Sequence, residues 1–283
     1  MAVRRWHVAV LALLAALVLA CEGSGKAGGP RPDRTARPGL PDSIAALGDS
    51  ISAGYGACPT LVVCGRHSWA TGTAPHVDSH YQRILADNPQ IRGRRHNYAA
   101  PGARAAALAG QAASAVRTRA QYVTILIGAN DACRPSVTQM TPRETFRRQV
   151  DAALARLAEG LPRARVLVAS VPDLYRLWEV GHRDDRAVRA WSRGTCPSLL
   201  ADPRSTAPAD TARRRLVDAQ VAAYNRELAA ACRAYGPNCR YDGGAAHRVR
   251  FGLDLVSHLD YFHPNGAGQA RLAQVTFSRR FLR

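Results

Sequence analysis

An apolar run in the stretch IAALGDSISAG, residues 44–54, stops at Gly48-Asp49-Ser50. A serine hydroxyl becomes a useful nucleophile only when a base takes its proton and hydrogen-bond donors receive the oxyanion it creates. Three more stretches carry residue types suited to those tasks. NYAAPGA (97–103) contains Gly102, YVTILIGANDAC (122–133) contains Asn130 beside Asp131, and HLDYFHPNGAGQ (258–269) sets Asp260 three residues before His263. The short Asp260–His263 spacing lets one loop deliver an imidazole and a carboxylate together, with Pro264 ending that loop. Asn130 offers an uncharged amide, and one such donor to a developing oxyanion is worth ~3–4 kcal/mol. Each piece also has an ordinary explanation: Gly, Asp, Ser and Asn-Asp are turn formers, and a lone histidine is commonly a surface or core residue. Their joint occurrence, in order and mostly at strand ends, is what points to acyl chemistry.

The elements that must position these residues follow from hydrophobic pattern. Strands are expected at 43–47, weakly within RRHNYAA (94–100), at 122–127, within ARVLVASV (164–171), and as a short last strand in HRVRFG (247–252). Residues 122–127 form the strongest of these, a continuous and β-branched run of the kind buried on both faces. Helices are expected at 80–86, 104–115, 210–235 and 265–282. A further helix at 141–160 carries a full start and stop signal: Thr141 as cap, Pro142 in first position, Glu144 completing a capping box and Gly160 as terminator. Residues 172–208 show little periodicity. Strands alternating with helices imply an α/β fold, a three-layer doubly wound sandwich around a central parallel sheet. In such a sheet the strand ends at Ser50, Gly102 and Asn130 share one rim, where ligands bind. No Gly-x-Ser-x-Gly elbow surrounds Ser50, which disfavours an α/β-hydrolase.

The four stretches together resemble the SGNH (GDSL) hydrolase family. GDSISAG matches its first block, Gly102 its second, GAND its third and DYFH its last, with Ile51 where the family's nickname has leucine. The resemblance runs through nearly all of residues 42–283 and implies a flavodoxin-like sandwich. It assigns Ser50 as nucleophile, His263 as general base and Asp260 as the partner that fixes the imidazole tautomer. It assigns the oxyanion hole to the backbone N–H groups of Ser50 and Gly102 and the side-chain amide of Asn130. It implies no cofactor and no metal. The cysteine-rich layout and the segment VPDLYRLWEV (171–180) are similar to secreted actinobacterial esterases and lipases and to the phospholipase B-like branch. In that branch's manner, Leu174, Tyr175, Leu177 and Trp178 line an acyl-chain pocket; the alternative is ordinary core beside a surface loop.

The N-terminus reads as a processing signal. Arg4 and Arg5 precede an apolar run at 8–20, too short to span a bilayer comfortably, and Ala20-Cys21 follows. A signal peptide is expected at 1–20 and a Gly/Pro-rich flexible tether at 21–41, leaving a catalytic domain at 42–283. Cys21 fits a bacterial lipidation site that anchors the chain to a membrane; ordinary cleavage there gives a freely secreted protein instead. Of seven cysteines, six remain after Cys21: Cys58, Cys64, Cys133, Cys196, Cys232 and Cys239. In an oxidising compartment they suggest three disulfides, most simply Cys58–Cys64, Cys133–Cys196 and Cys232–Cys239. No C-x-x-C pair supports a zinc site.

The 283 residues are 47% hydrophobic and 21% charged, a globular composition. The formal charge is +18, with Lys26 the only lysine. Such charge attracts anionic surfaces, and it also follows from Arg-rich coding bias. The arginines are scattered and not interleaved with aromatics, so no nucleic-acid partner is expected. The expectation is an exported, monomeric serine hydrolase acting on lipid or small acyl esters. The alternatives are a deacetylase of polysaccharide acetyl esters and a non-catalytic envelope-binding lipoprotein, since fold and site residues do not choose a substrate.

Overall fold

A computed structural model describes residues 39–283. The expected signal peptide, Cys21 and the tether up to residue 38 lie outside the described residues. Five strands form one sheet: β1 (Ile44–Gly48), β2 (Arg95–Asn97), β3 (Tyr122–Leu126), β4 (Arg165–Val168) and β5 (Cys239–Tyr241). All pairings are parallel, in the order β2-β1-β3-β4-β5. Every residue of β1 and β3 is buried. A parallel sheet covered on both faces needs that, and it explains the unbroken apolar runs in the sequence. The chain leaves β1 towards β2 on one side and later enters β3 on the other. The ends of β1 and β3 therefore flank the switch point of the sheet, where open α/β folds place their ligands.

Two helical layers cover the sheet. On one face α3 (Leu108–Arg117), α5 (Arg143–Gly160) and α9 (Pro208–Tyr235) pack side by side. On the other lie α2 (His80–Asp87) and α10 (Gly266–Thr276). Ser79 and Gln82 close a reciprocal capping box at the start of α2. His80 links the second layer: Nδ1 is 2.9 Å from the Tyr122 hydroxyl and Nε2 is 2.9 Å from Thr276 Oγ1. Burial pushes its imidazole down to about 3, so it sits in the core uncharged. This is the α/β sandwich expected from the alternating pattern.

Several boundaries differ from the sequence reading, each for a physical reason. The expected strand at 247–252 is absent; the fifth strand is Cys239–Tyr241, three half-buried edge residues too short to leave a periodic signal. The Cys232–Cys239 disulfide joins it to the end of α9. Residues 172–208 contain three short helices, α6 (Leu174–Gly181), α7 (Asp185–Trp191) and α8 (Pro197–Leu200). The first two are capped by the side chains of Asp173 and Asp184. Thr141 does not cap α5. The helix begins at Arg143, one residue later than the sequence suggests, so Thr141 lies before the cap position, and its hydroxyl donates to Asp131 Oδ1 at 2.8 Å. Pro142 occupies the cap position instead, and Glu144 pairs with Arg143. Gly160 is the last helical residue, and a Cβ there would overlap the methyls of Val116 on α3. The final helix breaks at Phe277, with Ser278 capping a separate turn, α11 (Arg279–Leu282).

All three disulfides join neighbouring cysteines: Cys58–Cys64, Cys133–Cys196 and Cys232–Cys239. His67 Nδ1 lies close to both sulfurs of the first. Those sulfurs are bonded to each other and are not available as thiolates. Among the described residues no helix is long and apolar enough to cross a membrane.

Gly48 closes β1 with φ +135°, and a Cβ there would overlap the carbonyl oxygen of Leu126 on β3. Gly48→Ala is expected to cost about 3 kcal/mol or more through combined backbone strain and overlap. Urea denaturation of purified protein checks this; an unchanged midpoint contradicts it.

Candidate active site

Ser50 opens α1 (Ser50–Ala53), a single turn placed directly after β1. Asp49 precedes it, and its Oδ1 accepts from the Ile51 N–H at 3.0 Å. The strand end is clamped by a side chain from α3. Gln111 accepts from the Gly48 N–H at 2.7 Å and donates to the Gly48 carbonyl at 2.9 Å. Both backbone polar groups of Gly48, the last residue of β1, thereby gain a side-chain partner, and its carbonyl also accepts from the Ala100 N–H.

His263 reaches Ser50 from the loop before α10. Its Nε2 is 2.9 Å from Ser50 Oγ, and its Nδ1 is 2.7 Å from Asp260 Oδ2. Asp260 Oδ1 accepts from the backbone N–H groups of Phe262 and His263. The carboxylate, committed by these donors, can only accept from Nδ1–H, which leaves Nε2 free to accept from the serine hydroxyl. Around the loop, Val256 bridges Pro264, and the Asn265 amide donates to the carbonyls of Asp254 and Val256. Gln269 on α10 donates to the Ile51 carbonyl and accepts from the Trp69 N–H, tying the histidine's helix to the serine's turn. The Tyr55 ring meets His263 edge-on, with centroids 4.8 Å apart.

Gly102 lies in an exposed loop past β2 with φ +75°, and open space surrounds the position of a Cβ. The glycine is thus set by backbone conformation and not by crowding. Asn130, in α4 (Ala129–Ala132), donates to the Ala103 carbonyl at 3.0 Å. That bond spends one amide hydrogen and fixes the side chain against the Gly102 loop. Asp131 holds the same loop from below: Oδ2 accepts from the Ala105 N–H at 3.0 Å, while Oδ1 takes the Thr141 hydroxyl. Burial raises the Asp131 carboxyl, and these two donors pull it back. Ser50, Gly102, Asn130, Asp260 and His263 are therefore brought to one rim.

Two depressions meet at Ser50. The narrower is a slot walled by Leu174, Leu177, Phe251 and Phe262 beside Ser50, Asn130 and His263. The wider is a groove bounded by Tyr55, Gly102, Asn130, Arg134 and the Cys133–Cys196 segment. Leu174 and Leu177, three apart on α6, face the slot. Tyr175 and Trp178 do not; they lie on the neighbouring stripe of the helix beneath Arg215 and Arg214, each guanidinium 4.5 Å from its ring. The sequence grouped these four residues, and helix geometry divides them.

A family model described as "GDSL-like Lipase/Acylhydrolase family" matches residues 46–271, a span that includes Ser50, Gly102, Asn130, Asp260 and His263. The chain belongs to the GDSL-like lipase/acylhydrolase family. With that membership it is an ester hydrolase. No curated protein sequence matches it. Among solved structures, a putative GDSL-like lipase from Parabacteroides merdae superposes with TM-score 0.53 at 15% identity, covering 86% of this chain and 97% of its own. A catalytic mutant of Axe2, an acetylxylan esterase from Geobacillus stearothermophilus, gives 0.51 at 16% identity, covering 85% and 93%. An extracellular lipase from Streptomyces rimosus gives 0.49 at 18%, covering 82% and 97%. The first two likenesses show a shared α/β sandwich fold.

Sequence reasoning did not find Gln111, Gln269, Thr141 or Tyr55 as supports of this site. Gln111 left a faint signal, as a long polar side chain in an Ala-rich helix; the others left none beyond their position near a motif.

Asp49 is wholly buried, its Oδ2 has no partner among the described residues, and desolvation pushes its carboxyl up to about 7. Below about pH 4 the folded and unfolded states both hold this proton. Between about pH 4 and 7 only the folded state holds it, so this group's stabilising contribution is lost as pH rises through that window. Asp49→Asn keeps the acceptor for Ile51 and removes the titration. The stability of D49N relative to wild type is expected to rise from pH 4 to 7 and then level. Thermal melts across that range test it, and a constant difference refutes the burial argument.

Proposed function

We propose that this GDSL hydrolase cleaves carboxylic esters of acyl chains outside the cell, through Ser50, His263 and Asp260. The observation that carries the reading is the unbroken hydrogen-bond chain from Ser50 Oγ through His263 to Asp260. His263 Nε2 takes the serine proton as Oγ attacks the ester carbonyl, and Asp260 stabilises the imidazolium that forms. The oxyanion is received by the backbone N–H groups of Ser50 and Gly102 and by the remaining amide hydrogen of Asn130. His263 then gives its proton to the departing alcohol oxygen, leaving an acyl ester on Ser50. Water enters, His263 removes its proton, and hydrolysis releases the carboxylic acid and restores the serine.

Two features favour lipid esters over sugar acetates. The slot beside Ser50 is apolar along Leu174, Leu177, Phe251 and Phe262 and suits an acyl chain. Leu61, Val62, Val63 and Leu259 are exposed on segments flanking Tyr55 and His263, and such apolar surface suits contact with lipid. Three disulfides fit an oxidising compartment. Export by the 1–20 signal, with Cys21 either lipidated or at the free N-terminus, completes the proposal.

Hydrolysis of p-nitrophenyl esters from acetyl to palmitoyl tests the reading. Ser50→Ala is expected to lower kcat by at least ~10,000-fold on every chain length, and Asp260→Asn by about 10,000-fold. Activity confined to acetyl moves the assignment to a deacetylase, and no Ser50-dependent turnover moves it to a binding protein. Leu177→Trp fills the slot and is expected to reduce kcat/KM for octanoyl about tenfold relative to acetyl. Equal effects on both esters place the acyl chain elsewhere.

A further inference from the structure

The wider groove at Ser50 contains one permanent charge and no carboxylate. Its walls are Tyr55, Gly102, Asn130, Arg134, the Cys133–Cys196 segment and His263, and it is open to solvent. The single guanidinium is Arg134. Its backbone is fixed from both sides: Arg134 N–H donates to Ser198 Oγ at 3.2 Å, and the Ser198 N–H donates back to the Arg134 carbonyl at 2.9 Å. The adjacent Cys133–Cys196 disulfide and Pro135 restrict it further.

Among the described residues its side chain, by contrast, has no hydrogen-bond partner. Among the described residues no carboxylate lies within 4.0 Å of its guanidinium, whereas Arg143, Arg147, Arg176, Arg204 and Arg213 all have one. Its Nε is shielded from solvent and unpaired. The acidic group whose field it feels is Asp131, and that carboxylate is already committed to the Ala105 N–H and the Thr141 hydroxyl. A guanidinium held on a rigid loop with its donors unspent is suited to a bidentate anion such as phosphate.

We propose that Arg134 forms a subsite for a phosphate group on the alcohol half of the ester, as in an acylated glycerol phosphate. This rests on the ester-hydrolase reading above and refines its substrate class. The apolar slot and the groove meet at Ser50 from different sides. An acyl chain in the slot therefore directs the alcohol half of the same ester into the groove, towards Arg134.

The test compares a monoacylglycerol with the same monoacylglycerol phosphate, both below their aggregation concentrations. Arg134→Gln is expected to lower kcat/KM on the phosphate ester about tenfold to a hundredfold, chiefly through KM, and to leave the neutral ester within about twofold. Arg134→Lys is expected to recover part of the loss, because it restores charge without the bidentate fork. Equal losses on both esters assign Arg134 to loop structure and overturn the proposal, as does no loss on either. Calorimetric binding of the phosphate ester to Ser50→Ala, with and without Arg134→Gln, reads the subsite without turnover. A tenfold weakening there supports the subsite even if hydrolysis of carboxylic esters fails, and unchanged binding overturns it even if hydrolysis succeeds. Inorganic phosphate competing as well as glycerol phosphate marks a site for the free ion and overturns a substrate subsite.

Discussion

Between Gly48 and the Leu126 carbonyl there is no room for a side chain. The two central strands approach so closely at their ends that only a glycine with positive φ lets the chain turn out of the sheet there. Ser50 follows two residues later, at the mouth of the switch point, and its position is inherited from that turn. At that strand end Gln111 on α3 bonds both backbone polar groups of Gly48. Gln269 ties the following turn to α10, which begins just after the His263 loop. The serine and the histidine are 213 residues apart in sequence, yet 2.9 Å apart in space, because their supports converge on one strand end.

The same rim carries an electrostatic load. Asp49 and Asp131 are both buried beside Ser50 and Asn130, and desolvation raises both carboxyls. Asp131 repays part of that cost by ordering the Gly102 loop through Ala105 and by engaging Thr141. Asp49 makes one hydrogen bond and leaves one oxygen unpaired. Strain and burial concentrated in this way are tolerated where the surrounding structure over-determines the geometry, and here a close-packed parallel sheet does so.

The two depressions at Ser50 differ in chemistry as well as shape. One is apolar and narrow, and the other is wide and bears a single guanidinium, unpaired among the described residues. In the proposed reading, the slot takes the acyl half of the ester and the groove its alcohol half. The family fold supplies the strand ends, whereas the residues that shape both depressions come largely from loops and short helices.

Much of this was legible in the sequence. The continuous apolar runs of β1, β3 and β4, the alternation with helices, and the neighbouring cysteine pairs each depend on local pattern, and local pattern survives in one dimension. Ser50, Gly102, Asn130, Asp260 and His263 stood out because each has a side-chain type, or lacks one, at a turn where chemistry can use it. The supports were not legible. Gln111 looks like any polar residue on a helix until Gly48 is seen opposite it, and Thr141 looks like a helix cap until the helix is seen to start a residue later and its hydroxyl to meet Asp131. The three-residue β5 and the short helices α6 to α8 fall below the length at which periodicity speaks. Leu174 and Leu177 part from Tyr175 and Trp178 only when the helix is set against its neighbours. The sequence by itself determined which groups are available and the order of elements that carry them. Tertiary structure decided which of those groups meet, because a hydrogen bond or a buried contact depends on the partner across the fold and not on the neighbour along the chain.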